Sequence, residues 1–352
     1  MVSKVQRSII KVFIFAFIIF ISLELLLQIR AELKFGNSIF SRLLKPAQAQ
    51  TQLFTQRKGY KLLVPNISVE GSSISIKSNN LGLRSEPIKA KNNGAIRVIV
   101  LGASSAYGAY AANNSVTFPA LLQQEAVQLP LEVINAGIPG NDLNGQYLLY
   151  SEHLAGLSED VLMLYSGLSN DVSQLCRKSA AGKSYALPQI KAPKWLLSVD
   201  LLLKNTINLR YVPYKVSALP DLTPSLENYA DGLRKLIKQA KLRQVKQIYF
   251  LENLSSFRPE QPVQLQRQLA ETALYYTPCL SVQQFSYVFE QYNQTLQQVA
   301  DEFNHVQYVS LSDKVAGGRD NFTDSVHFSA KGEQVMAQAL IATLNGTLQV
   351  QP

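Results

Sequence analysis

The chain has 352 residues, 47% hydrophobic and 17% charged, with a formal net charge of +9. This excludes a mainly disordered chain. Two cysteines and three histidines exclude a disulfide scaffold, a Cys-rich zinc module and a His-built metal centre, so no metal or cofactor is expected. Residues 1–50 carry seven Lys/Arg against two acids, so most of the excess charge is N-terminal and the bulk of the chain is not expected to bind nucleic acid.

The first element, residues 12–29 (VFIFAFIIFISLELLLQI), is an almost unbroken apolar run close to the length that crosses a hydrocarbon core as a helix. Its one charged residue, Glu24, lies toward the far end. Lys4, Arg7 and Lys11 precede the run with no acid among them, which predicts residues 1–11 in the cytoplasm and the rest outside, periplasmic or at the cell surface. A cleaved secretory signal is the competing reading. Gln28, Arg30 and Glu32 follow the run where small residues would be needed, and Ala47-Gln48-Ala49 comes too late, so an uncleaved single-pass anchor is preferred. Residues 30–60 read as a spacer, and 61–352 as the folded domain, opening with short alternating stretches that suggest edge strands or a hairpin.

From Ile96 strands and helices alternate. IRVIVLG (96–102), LEVINAG (131–137), DVLMLYSG (160–167), QIYFLEN (247–253) and HVQYVSL (305–311) read as strands. Helical spacing runs through 118–128, 141–155 (capped by Asn141 or Asp142), 225–244, 289–303 and 329–344. Continuously apolar strands between helices predict a parallel sheet covered on both faces, and in such sheets ligands sit beyond the carboxyl ends of the strands.

The strand ends therefore decide the chemistry. Strand one runs into GASSAYG (102–108), where Ser104 would be exposed near a helix start with its N–H facing the site. Strand two runs into NAGIPG (135–140), where Pro139-Gly140 favours a type II turn that can aim the Gly140 N–H outward. Strand three runs into Ser169-Asn170-Asp171, where the Asn170 amide can donate. After strand five comes DSVH (324–327), a spacing that lets Asp324 reach the His327 ring. Taken singly, each is equally an ordinary turn or cap. His153 reads as a helix-surface residue and His305 as the start of a strand.

In combination these four blocks resemble the SGNH (GDSL-type) hydrolases. Asn80-Leu81-Gly82-Leu83-Arg84 and Thr117-Phe118-Pro119 add likeness to membrane-anchored or secreted members, and the resemblance spans roughly residues 78–345. It implies a three-layer, flavodoxin-like α/β fold and ester hydrolysis without a metal. Ser104 would be the nucleophile, His327 the base and Asp324 its orienting partner. The N–H groups of Ser104 and Gly140 with the Asn170 amide would form the oxyanion hole. Two departures stand out: Ala103 replaces the Asp of the family name, and Gly-Leu-Ser-Asn-Asp replaces Gly-x-Asn-Asp.

Two insertions interrupt the alternation. Residues 172–224 hold Cys176 and PKWLLSVDLLL (193–203), which reads as a helix packed on the domain's own core, with a lid, an acyl-chain platform or a membrane-touching helix as alternatives. Residues 254–286 hold Tyr275, Tyr276 and Cys279. Outside the cytoplasm Cys176 and Cys279 could pair; two free thiols are the alternative. Several Asn-x-Ser/Thr sequons occur, such as those at Asn253 and Asn321. The expected activity is hydrolysis of O-acyl esters of a glycan or a lipid. The alternatives are an O-acyltransferase acting on cell-surface or secreted polysaccharide and a non-catalytic glycan-binding protein on the same scaffold.

Overall fold

The computed structural model describes residues 4–35, 53–71, 73–179, 196–199, 201–202, 219–277 and 279–348. The chain divides into two units. One holds Met1–Gln52, Glu70–Ile74 and Tyr185–Val212; the other holds Leu53–Val69, Ser75–Ser184 and Pro213–Pro352.

The first unit contains helix α1 (Lys4–Phe35). Leu, Ile and Phe fill it without a proline or a polar face, and Ser8–Leu33 holds a window of mean hydropathy 2.6, so it is long and apolar enough to cross a membrane. The helix is longer than the run 12–29 read from the sequence. Glu24 is fully partnered: it accepts from the Gln28 amide at 2.5 Å and from the backbone N–H groups of Leu197 and Ser198 at 2.9 and 2.8 Å. The described residues of the apolar stretch 193–203 thus belong with α1, not with the core of the other unit as expected. Two N–H donors compensate the Glu24 carboxylate, an interaction that hydropathy along the chain does not register. Trp195 lies outside the described residues.

The second unit opens with two short ribbons, β1 (Phe54–Gln56) with β2 (Lys61–Leu63) and β3 (Ser68–Glu70) with β4 (Ser75–Lys77). Strand β1 falls inside the stretch expected as spacer. The main sheet contains β5 (Ile96–Gly102), β6 (Leu131–Gly137), β7 (Val161–Tyr165), β8 (Gln247–Leu251) and β9 (Val306–Val309), all parallel, in the order β6-β5-β7-β8-β9. This is the flavodoxin-like order, with the chain reversing direction across the sheet at β5.

Both faces of the strands are largely buried, which explains their mainly apolar character. On β5, Ile99 and Leu101 enter one core and Val98 and Val100 the other. The first core lies under α4 (Leu143–Leu148), α6 (Thr223–Leu242) and α9 (Val282–Asp301), through residues such as Leu143, Leu233, Leu236, Phe285 and Leu296. The second lies under α3 (Phe118–Glu125) and α10 (Ala330–Leu348), through Phe118, Leu122, Met336 and Leu340. The result is the three-layer α/β fold expected. Four further helices, α2 (Ser104–Tyr107), α5 (Ser169–Ser179), α7 (Val263–Leu269) and α8 (Glu271–Tyr276), surround the carboxyl edge or fill the insertions.

Local differences have physical causes. Asp142, not Asn141, caps α4 by accepting from the Gly145 N–H at 2.8 Å, and the helix passes into a π turn at Leu149–His153. That turn carries His153 inward, where its Nε2 donates to the Leu81 carbonyl at 2.7 Å instead of facing solvent. The sequons at Asn253 and Asn321 are buried: Asn253 accepts from the Gly167 N–H at 2.7 Å and the Ser166 hydroxyl at 3.1 Å, and Asn321 is 6% exposed. Neither is a glycan acceptor in the folded chain.

Candidate active site

Ser104 follows directly on β5, at the point where the strand order reverses. Ala103 turns the chain and Ser104 begins α2, a helix of a single turn. A helix does start here, but one turn long, so Ser104 offers a backbone donor rather than the field of a full helix. Gly137 permits this close seat: a Cβ there would meet the Tyr107 nitrogen at 2.3 Å. Arg84, from the lead-in block, is 1% exposed and clasps the same loop. Its guanidinium donates to the carbonyls of Gly108 at 2.5 Å and Ala111 at 3.0 Å, and to the Asn114 side chain at 3.1 Å.

The DSVH block forms a turn pinched by a bridge between Phe322 and Phe328 and by the Thr323 N–H donating to the His327 carbonyl at 2.9 Å. Ser325, fully buried, donates to the Leu269 carbonyl at 2.8 Å and accepts from the Ala273 N–H at 3.0 Å, so the second insertion holds the turn from behind. Ser105 holds it from the front: its hydroxyl donates to the Val326 carbonyl at 3.1 Å.

The two turns bring three side chains into one chain of hydrogen bonds. The Ser104 hydroxyl lies 2.7 Å from His327 Nε2, and His327 Nδ1 lies 2.7 Å from Asp324 Oδ2. Asp324 Oδ1 also accepts the N–H groups of Val326 and His327, each at 3.0 Å. Burial pushes the Asp324 carboxyl up, but its hydrogen bond and charge contact with His327 and the two N–H groups outweigh that and hold it below the ordinary carboxylate range. An ionised Asp324 fixes the proton on Nδ1 and leaves Nε2 free to accept from Ser104.

The other blocks converge on the same edge. Ile138 to Asn141 form a turn closed by the Asn141 N–H to the Ile138 carbonyl at 3.3 Å, with Gly140 at φ +83°, the type II geometry Pro-Gly favours. Asn170, at the start of α5, donates one amide hydrogen to the Asn141 carbonyl at 3.0 Å, which joins block three to block two and leaves a second hydrogen to donate. Cys176 on α5 and Cys279 form a disulfide with Cα atoms 5.4 Å apart, so the two free thiols are not found. Ala103 is 1% exposed and takes no part in the hydrogen-bonded chain.

Three neighbours of the site were missed in the sequence. Ser105 is the second half of a Ser-Ser pair, and only the fold shows that it faces Val326. Tyr110 donates to Asp324 Oδ2 at 3.3 Å and sets its ring edge-on to His327, centroids 5.6 Å apart. Lys61 is fixed through its backbone by the Asn141 amide, at 2.9 and 3.1 Å, and its ammonium stands over Gly140, where an added Cβ would meet Nζ at 2.8 Å. Contacts across 80 residues leave no local sequence signal.

A parallel three-layer sheet with a Ser–His–Asp chain at its carboxyl edge defines the class as an SGNH-type hydrolase. Residues 100–335 match the model of the GDSL-like lipase/acylhydrolase family. The chain belongs to that family, and it is an ester-bond hydrolase. Comparison with curated proteins yields no match. Among solved structures, a GDSL-like lipase from Bacteroides thetaiotaomicron is 13% identical, covering 73% of this chain and 92% of its own, with a TM-score of 0.45. An acetylxylan esterase from Geobacillus stearothermophilus is 18% identical, covering 70% and 93%, with a TM-score of 0.42. An α/β hydrolase from the metagenome of Lake Arreo, Spain, is 14% identical, covering 71% and 95%, with a TM-score of 0.45.

Proposed function

We propose that the protein is a membrane-anchored, extracytoplasmic serine esterase that removes O-acyl groups from a glycan or a lipid. The observation that carries this reading is the unbroken chain from the Ser104 hydroxyl through His327 to Asp324, both links 2.7 Å long. Ser104 Oγ attacks the ester carbonyl while His327 Nε2 takes its proton. The developing oxyanion is held by the N–H groups of Ser104 and Gly140 and by the free amide hydrogen of Asn170, each donor worth about 3 kcal/mol in the transition state. The tetrahedral intermediate collapses, and His327 returns the proton to the leaving alcohol. Water, deprotonated by the same nitrogen, then releases the acid from the acyl-serine. Asp324 keeps Nδ1 protonated throughout and balances the imidazolium.

The location rests on two features. Lys4, Arg7 and Lys11 ahead of the apolar run 12–29 support a cytoplasmic N-terminus. The Cys176–Cys279 bridge supports an oxidising compartment for the catalytic unit. The test is hydrolysis of p-nitrophenyl acetate by the full chain in detergent. Turnover that Ser104→Ala removes supports the reading; turnover that survives the substitution contradicts it.

A further inference from the structure

Helix α8 is short, yet it is fastened at both ends. Its middle residue Ala273 donates its N–H to Ser325, inside the turn that carries the triad acid and base. Three residues past its end, Cys279 is bonded to Cys176 on α5, the helix that begins with Asn170. The segment is therefore tied to the base on one side and to the oxyanion side on the other. What it displays between these ties is two exposed aromatic rings: Tyr275 is 50% exposed and Tyr276 63%, packed edge to face with centroids 5.0 Å apart. A third, Tyr110, is 48% exposed with its ring edge-on to His327. Burial, then the Asp324 carboxylate, then Tyr276 push the Tyr110 phenol up, so Tyr276 lies within electrostatic reach of Tyr110.

Exposed tyrosines held rigidly beside a nucleophile need a physical reason, because leaving three large rings in water forgoes the stabilisation of burying them. A tyrosine presents an electron-rich apolar face and a hydroxyl at its rim. The complementary surface is one that is apolar on its flat side and polar at its edge. A pyranose ring has this character, with C–H groups on its faces and hydroxyls around its circumference. An acyl chain matches only the apolar part and leaves the phenols without partners at its surface.

Resting on the esterase reading above, we propose that Tyr275, Tyr276 and Tyr110 form a carbohydrate platform beside Ser104, which seats the sugar that carries the ester. The substrate class is thereby an O-acylated glycan rather than a lipid. The platform stacks the ring, and the phenolic groups and Lys61 at the opposite lip of the oxyanion turn meet its polar substituents.

The experiment has a binding arm and a turnover arm, both on the full chain in detergent. In the first, Ser104→Ala is titrated calorimetrically with partially O-acetylated cello-oligosaccharides, so that binding is read without hydrolysis. The expected result is saturable binding, weakened at least tenfold when Tyr275→Ala and Tyr276→Ala are added and weakened less by the corresponding Phe substitutions, which keep the stacking faces and lose the phenol contacts. In the second arm, the ratio of kcat/KM for the acetylated oligosaccharide to that for p-nitrophenyl acetate falls at least tenfold in the double Ala variant, through KM. Tyr287→Ala, which removes an equally exposed tyrosine on α9, leaves the ratio as it was. No saturable binding, or equal losses on both substrates, overturns the platform. A selective loss on p-nitrophenyl palmitate instead assigns the surface to an acyl chain and also overturns it. Failure of wild type on p-nitrophenyl acetate would strike the esterase reading alone, since the binding arm does not depend on it.

Discussion

The hydroxyl of Ser105 donates to the Val326 carbonyl at 3.1 Å, across 221 residues of chain. The residue after Ser104 thus grips the residue before His327. Both are buried, Ser105 at 3% and Val326 at 7% exposure, so the contact does not compete with water. Ser105→Ala leaves the carbonyl without its partner and lets the two turns part. The expected stability loss is about 1 kcal/mol. The expected fall in kcat is larger, about tenfold to a hundredfold, because small displacements of reacting groups are costly. Steady-state kinetics beside thermal unfolding separates the two effects.

Asp324→Asn keeps the shape of the triad but lets His327 adopt the wrong tautomer. Loss of kcat by about 10³ to 10⁴ is expected, with KM little changed. The comparison of kcat and KM on an aryl acetate checks it. Equal activity in the variant would mean that Asp324 serves the turn and not the imidazole.

Arg84 anchors the loop that follows Ser104. Arg84→Met removes donors from the carbonyls of Gly108 and Ala111 in a site closed to water. Destabilisation of about 3 kcal/mol is expected, read as a fall in the unfolding midpoint.

Two buried acids make stability fall as pH rises from the ordinary carboxyl range toward neutral. Burial, with the Asp142 charge nearby, pushes Asp171 up to about 7, and burial pushes Glu333 up to about 8 against the pull of the Phe118 N–H and Arg84. Each binds its proton more tightly folded than unfolded. Their contribution is therefore complete below the ordinary carboxyl range and is lost as pH rises through 7 to 8. The midpoint of unfolding is expected to fall from about pH 4 to about pH 8 and to level off above that, and Glu333→Gln to flatten that fall. Asp324 has the opposite sign: its carboxyl is lowered, so its share is complete at neutral pH and lost in acid.

The bridge from Cys176 to Cys279 closes a loop of 103 residues. By chain entropy its removal costs about 4–5 kcal/mol. Cys176→Ser with Cys279→Ser, compared with wild type by chemical denaturation, measures the loss. Alkylation without a reductant is expected to find neither thiol.

What was legible in the sequence follows from what each signal depends on. β5 and β6 were readable to the residue because a strand buried on both faces must be apolar along its whole length, and glycine ends each where another backbone presses close. The Pro139-Gly140 turn was readable because its φ is a local property. His153 was misread because a π turn rotates it toward Leu81, a contact set by tertiary packing. The stretch around Leu197 was misread for the same kind of reason: hydropathy reported an apolar surface but not that Glu24 would supply its partner. Ser105, Tyr110 and Lys61 acquire meaning only once distant turns meet.

The central claim is that Ser104, and not its neighbour, is the nucleophile. The most direct measurement is peptide mass spectrometry of the full chain after reaction with a fluorophosphonate, with fragment ions that separate Ser104 from Ser105. A single adduct on Ser104, absent from Ser104→Ala and sharply slowed in His327→Ala, is the predicted result. An adduct on Ser105, or labelling that persists in Ser104→Ala, would contradict it.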